Sequence, residues 1–306
     1  MSWLAWTALG LGAALLAAGA WLYTPDIPRA TLEAKYGVQP SDYLEVDGVR
    51  LHLRDTGPRG APAVILLHGF GSSLQTWDAW AAGLANDHRV IAYDMPGFGL
   101  TGTDPTGDYS DERNVAVLLA LMDKLGLPRA SLIGNSLGGK IAWNFTVAHQ
   151  DRVNKLVLVS PDGFASTGFE YEKAPAVPVV LRILPYMLPR FLLRLNLQPA
   201  YGDPTAMTDA LLTRYHDMML APGVRQAVID RLPQVILHDP AGLLPRITVP
   251  VLLVWGEKDA MIPFANSADY MKLLPNARLA SFPGIGHVPQ EEAPALTLGA
   301  IRAFLN

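Results

Sequence analysis

The 306-residue chain contains no cysteine. A disulfide framework, a thiolate-bound zinc, an iron–sulfur cluster and a cysteine nucleophile are all excluded by that absence. Charge is scarce as well. Only 17% of residues are charged, and 24 Lys+Arg against 28 Asp+Glu leave a formal net charge of −4. No basic surplus draws the chain toward polyanions, so nucleic acid is not an expected partner. With 50% hydrophobic residues, intrinsic disorder is excluded too. What is present is enough chain for one large α/β domain with an insertion, or for two domains, built around a core that needs no staples.

No charged residue occurs from Trp3 to Tyr23. As a helix rising 1.5 Å per residue, this stretch would span roughly 31 Å, the thickness of a hydrocarbon core. Trp3 and Trp6 lie at one end and Trp21 and Tyr23 at the other, where amphipathic rings favour an interface. Residues 1–23 therefore read as a single-pass membrane anchor, with the periplasmic or extracellular side favoured for the rest of the chain. The alternatives are a signal peptide cleaved near Ala18-Gly19-Ala20, giving a secreted protein, and an apolar helix packed on the protein itself. The lack of Lys or Arg before the apolar run, and its length, favour the anchor. Residues 24–40, with Pro25, Pro28 and Pro40, read as a linker.

Beyond residue 40, short apolar runs alternate with helical patterns. Tyr43–Val46 and Val49–Arg54 flank Asp47-Gly48, a hairpin signal. Further strands are predicted over Ala63–Leu67, Arg89–Tyr93, Ser131–Ile133, Lys155–Val159, Val251–Trp255 and Arg278–Phe282. Helices are predicted over Leu74–Leu84, Ser110–Leu125, Leu137–His149, Ala265–Leu274 and Ala295–Leu305. This alternation predicts a mostly parallel eight-stranded sheet with helices on both faces, opened by an antiparallel hairpin. The core is expected over 41–160 and 247–306. Between them, 161–246 carries helical fragments such as Val179–Leu197 and Thr208–Asp217 but no convincing strand. An insertion there would lie over the carboxyl edge of the sheet, where open α/β folds bind ligands, so it is expected to be a helical cap.

Gly134-Asn135-Ser136-Leu137-Gly138 follows one predicted strand and opens a helix. A sharp strand-to-helix turn strains its central residue and crowds its neighbours, which is why glycine stands two residues to either side. Such a turn projects the Ser136 hydroxyl from the sheet at a helix N-terminus. A neutral serine needs a base to become a nucleophile. Of the seven histidines, His287 follows the last strand and lies at the same sheet edge. The imidazole in turn needs a carboxylate to orient it. Asp259, just after the seventh strand, is the candidate, with Glu257 and Asp162 as competitors. Oxyanion donors are expected from the Leu137 N–H and, in the His68-Gly69-Phe70-Gly71 loop, from the Phe70 N–H. His68 and Asp94 read as residues that order loops.

Taken together, these motifs resemble the α/β-hydrolase superfamily over roughly Tyr43–Pro161 and Ile247–Asn306. The resemblance rests on His68-Gly69-Phe70-Gly71, Asp94-Met95-Pro96-Gly97-Phe98-Gly99, the turn at Ser136, Asp259 and His287. It implies cofactor-free hydrolysis of a small molecule through a covalent acyl-enzyme, with Ser136, Asp259 and His287 as a catalytic triad and no metal. Gly134-Asn135-Ser136-Leu137-Gly138-Gly139 is also similar to the elbow of hydrolases that cleave carbon–carbon bonds in meta-cleavage products. Those enzymes usually carry a Gly-rich, Pro-containing oxyanion loop, whereas Phe70-Gly71-Ser72-Ser73 stands here. The expectation is accordingly a carboxylesterase or lipase-like enzyme acting on lipophilic, short-to-medium acyl esters. The alternatives are a carbon–carbon hydrolase of diketones, or a small-molecule receptor without catalysis on the same fold.

Overall fold

The structure, a computed structural model, describes residues 22–37, 42–166 and 170–306, together with residues 2, 3, 6, 7, 11, 12, 17, 19 and 20. Eight strands form one sheet: β1 (Tyr43–Val46), β2 (Val49–Thr56), β3 (Ala63–Leu67), β4 (Arg89–Tyr93), β5 (Ala130–Asn135), β6 (Val153–Val159), β7 (Val251–Gly256) and β8 (Ala277–Phe282). Their spatial order is β1-β2-β4-β3-β5-β6-β7-β8. β1 and β2 pair antiparallel, as do β2 and β4, and every other pairing is parallel. The β1–β2 turn has Asp47 at φ 48° and Gly48 at φ 79°. Positive φ at both central residues is the hairpin turn that an Asp-Gly dipeptide favours.

Alternation of side chains explains why the central strands are apolar throughout. Ile65 and Leu67 on β3 join a core on one face of the sheet, and Val64 and Leu66 join a second core on the other. Helices cover both faces. They are α1 (Arg29–Tyr36), α2 (Asp78–Leu84), α3 (Asp111–Lys124), α4 (Leu137–Ala148), α5 (Arg190–Leu197), α6 (Asp209–Met219), α7 (Val224–Arg231), α8 (Asn266–Leu273), α9 (Pro289–Glu292) and α10 (Pro294–Leu305). Their ends follow local chemistry. The Ser110 side chain accepts from the Arg113 N–H to start α3, and Thr208 accepts from Leu211 to start α6.

The described residues between β6 and β7 contain helices and no named strand, and α5, α6 and α7 belong to this segment. The single helix expected over Val179–Leu197 is instead a 3₁₀ turn, Val179–Ile183, followed by α5. Pro185 and Pro189 separate them: neither nitrogen can donate to the preceding turn, and Pro189 takes extended backbone at φ −60°, ψ 134°, from which α5 starts afresh.

Two expectations for the N-terminal region require correction. A helix that crosses a bilayer needs about 20 consecutive, predominantly apolar residues. Among the described residues no helix is long and apolar enough to do so, which overturns the single-pass anchor over 1–23 and the membrane localisation drawn from it. Residues 1, 4, 5, 8–10, 13–16, 18 and 21 of that stretch lie outside the described residues, as do 38–41. The linker reading of 24–40 also changes, because α1 is docked. Leu32 is 1% exposed within the main core. Lys35 and the Tyr36 hydroxyl donate to Asp217 of α6 at 2.6 and 2.7 Å, and Arg29 donates to the Leu100 carbonyl at 2.6 Å. Leu32→Ala is expected to cost about 2–4 kcal/mol, in the range of other buried leucine truncations. A urea midpoint unchanged from wild type would return the segment to a tether.

Candidate active site

The turn between β5 and α4 places Ser136 at φ 54°, ψ −120°. A non-glycine residue there is strained, and the surroundings hold it in place. The Ser136 N–H donates to the Val159 carbonyl at 3.0 Å, while the Ser136 carbonyl accepts from Lys140 at 3.0 Å and Asp162 at 3.1 Å. The flanking glycines are required by contact. A Cβ on Gly134 would lie 2.2 Å from the Gly138 carbonyl oxygen, and one on Gly138 would lie 2.2 Å from that of Leu67. The Ser136 turn is thus pressed backbone to backbone against β3.

His287 and Asp259 meet as expected. His287 Nδ1 and Asp259 Oδ2 are 2.8 Å apart, and both residues are buried. The other carboxylate oxygen, Oδ1, accepts from Met261 and Ile262 N–H at 2.9 and 2.8 Å, so the carboxylate is fixed. The two competitors are engaged elsewhere. Asp162 accepts from Gly163 N–H at 2.8 Å, and burial pushes its carboxyl up from the ordinary range. Glu257 accepts from the Ser281 hydroxyl at 2.9 Å. Ser136, His287 and Phe70 all line one cavity, which the segment between β6 and β7 caps with Leu193, Leu197, Ala200, Tyr215 and Met219. Among the described residues no hydrogen bond joins the Ser136 hydroxyl to the His287 ring. Such bonds commonly tighten only when substrate arrives.

The loop expected to supply an oxyanion donor is set by His68. Met95 N–H donates to His68 Nε2 at 3.0 Å, which leaves the proton on Nδ1, 2.8 Å from the Gly69 carbonyl. In a trans peptide the carbonyl and the next N–H point opposite ways. Holding the Gly69 carbonyl toward His68 therefore turns the Phe70 N–H away from it. A Cβ on Gly69 would fall 3.3 Å from Ser136 Cβ, so this peptide lies directly against the Ser136 turn. Leu137, whose N–H is the other expected donor, is buried at the first position of α4.

Beneath the loop, Asp94 is fully buried and accepts from Leu74 N–H at 2.7 Å, Leu100 N–H at 2.8 Å and His52 Nδ1 at 2.8 Å. Burial alone would push its carboxyl up, but the imidazoles of His52 and His68 and the Leu74 amide outweigh that and hold it below the usual range. This is the loop-ordering role its turn motif suggests.

Two contributors were not legible in the sequence. Asn135 Nδ2 donates to the His287 carbonyl at 3.0 Å and to the Val159 carbonyl at 3.1 Å, tying the strand before Ser136 to the His287 loop. Its only sequence signal is a buried amide in the middle of Gly134-Asn135-Ser136. Arg231, on α7, lies over the Phe98 ring at 4.6 Å and donates to the Tyr109 carbonyl at 3.2 Å and to that of Pro96. Burial pushes its guanidinium down to about 10. Nothing in a helix with arginines at 225 and 231 marks either as buried.

A parallel-centred sheet with a serine on a strained strand-to-helix turn, and a His–Asp pair at the same edge, defines a class of nucleophile-bearing α/β folds. The family model of the alpha/beta hydrolase fold matches residues 62–294, and the chain belongs to this family. Among curated proteins it is 32% identical over 272 residues, 82% of this chain and 91% of the other, to a 2-hydroxy-6-oxononadienedioate/2-hydroxy-6-oxononatrienedioate hydrolase of Burkholderia vietnamiensis. It is 29% identical over 251 residues, 79% of this chain and 86% of the other, to a 2-hydroxy-6-oxo-6-phenylhexa-2,4-dienoate hydrolase of Burkholderia cepacia. A solved meta-cleavage product hydrolase from Pseudomonas fluorescens superposes with a TM-score of 0.75 at 25% identity, covering 86% of this chain and 97% of that one.

The buried imidazole gives a pH prediction. Burial holds His68 below its ordinary pKa of 6.5, so it stays neutral in the fold and can charge once unfolded. As pH falls below that value the unfolded chain takes up the proton first, and stability is lost. One such group contributes a slope of at most about 1.4 kcal/mol per pH unit. Urea midpoints between pH 8 and 5 are expected to drop on the acid side, and less steeply in His68→Asn. An equal slope in both proteins would contradict this assignment.

Proposed function

We propose that this hydrolase cleaves a carbon–carbon bond beside a ketone in a conjugated diketone of the ring-fission type. The observation that carries this reading is the similarity to curated relatives named for such substrates, across more than three quarters of the chain. It displaces the ester-cleaving enzyme that the oxyanion loop suggested. In the proposed mechanism the Ser136 oxygen attacks the ketone carbon as His287 takes its proton. Asp259 keeps the proton of His287 on Nδ1 and stabilises the imidazolium. The N–H groups of Phe70 and Leu137 receive the developing oxyanion. On collapse, the carbon–carbon bond breaks, its electron pair enters the conjugated system of the leaving fragment, and His287 returns the proton to that fragment. Water, activated by His287, then releases the acyl group from Ser136.

A second reading, hydrolysis of uncharged esters, is favoured by one feature. The relatives' named substrates are carboxylates, and a buried carboxylate needs a cation or several donors. Among the described residues lining the cavity none is Lys or Arg, and most of the wall is apolar. Side-by-side assays of a phenyl-substituted ring-fission dienoate and a series of p-nitrophenyl esters separate the readings. Turnover of the dienoate with little ester activity is expected, whereas brisk ester turnover and an inert dienoate would overturn the first reading. Ser136→Ala is expected to lose at least about 10³-fold in kcat and all labelling by a fluorophosphonate. Retained labelling would remove Ser136 as nucleophile.

A further inference from the structure

The loop that carries His287 is sandwiched between two other stretches of main chain. On one side is the end of β7, which leads to Asp259. A Cβ on Gly256 would lie 2.1 Å from the Gly286 carbonyl oxygen. On the other side is the cap. A Cβ on Gly202 would lie 2.2 Å from the Gly284 carbonyl oxygen, and one on Gly286 would lie 2.5 Å from both the Ala200 oxygen and the Gly202 nitrogen. No side chain fits between the layers. The His287 N–H itself donates to the Ala200 carbonyl at 2.7 Å, so the histidine's main chain is bonded directly to the cap.

Glu292, on α9, closes this seam. Its Oε2 accepts from the N–H of Gly286 at 2.7 Å and of Gly202 at 3.0 Å, and its Oε1 accepts from Asp203 N–H at 2.8 Å. One carboxylate thus receives amides from both the histidine loop and the cap. Adjacent Glu291 reinforces the join: it accepts from the Tyr201 and Tyr215 hydroxyls at 2.6 and 3.1 Å and pairs with Arg214. Hydrogen bonds to a charged acceptor are roughly twice as strong as neutral ones. A glutamine would keep one acceptor oxygen and turn an NH₂ group toward amides that already donate.

We infer that Glu292 is a positioning residue for His287: its carboxylate couples the seating of cap residues 200–203 to the placement of the imidazole beside Ser136. The inference rests on the roles proposed for Ser136 and His287. Moving the cap off the seam withdraws the histidine main chain with it, so the centre is assembled only while the cap is docked.

The test uses the full chain and the rate at which a small fluorophosphonate labels Ser136, a reaction that needs His287 but little of the cap's apolar wall. Glu292→Gln is expected to slow labelling by about 10- to 100-fold, the effect of small displacements at a reacting centre, while the melting temperature stays within a few degrees. Gly202→Ala forces the cap and the loop apart with Glu292 intact, is expected to slow labelling comparably, and decides the matter if the glutamine variant does not fold. Labelling at the wild-type rate in the variants, with only KM for larger substrates raised, would overturn the coupling and leave Glu292 as a clamp for the cap. A wild-type chain that does not label would instead refute the nucleophile assignment on which the inference stands.

Discussion

The close approach of main chain to main chain around Ser136 is the constraint on which the rest of the structure depends. The residue sits at a positive φ that costs free energy on its own, on the order of 1–3 kcal/mol. It is tolerable because its N–H and carbonyl are both satisfied, by Val159 on one side and by Lys140 and Asp162 on the other. Those bonds form only if Gly134 and Gly138 let strand, turn and helix collapse onto one another. The same device recurs one strand pair away, where Gly256, Gly286 and Gly202 stack the His287 loop between β7 and the cap. Position at this site is set by missing side chains as much as by those present.

Much of the architecture was readable in the sequence because the central strands are buried on both faces, and a run such as Ala63–Leu67 has no solvent side to interrupt it. The Asp47-Gly48 hairpin and the Ser136 turn were readable for a different reason: each needs a backbone geometry that few residues allow. The pairing of Asp259 with His287 followed from chemical need and from their places after β7 and β8. Contacts made through main chain or across long separations were not legible. Asn135 reaches the carbonyl of a residue 152 positions away. The docking of α1 depends on Asp217, 182 positions from Lys35. Three prolines near α1 resembled a linker because composition reports local stiffness and says nothing of a distant partner. An apolar stretch likewise reports hydrophobicity alone, and no membrane-crossing helix follows from it among the described residues.

Polar groups are distributed unevenly in kind. Near the surface, pairs such as Lys173 with Glu170 are exposed and contribute little. Below the loop at 68–71, Asp94, His52 and His68 are wholly buried, and nearly every polar atom has a partner. The His52 Nε2 atom is the exception, buried without one. A network of that kind costs much to desolvate and yields a single arrangement in return, because any other leaves a charge or donor stranded. The loop it fixes is the one that carries Phe70, the oxyanion donor proposed above.

The docking of α1 onto Asp217 also sets an order of events on the ribosome. A helix of eight residues has little stability by itself, and its carboxylate partner is encoded 182 residues later. At synthesis rates of about 5–20 residues per second, Lys35 emerges roughly 10–35 seconds before its counterpart. For that interval α1 has only partners from the first hundred residues, such as the Leu100 carbonyl that Arg29 bonds. The bond that joins α1 to α6 is therefore added only after the first six strands have been made.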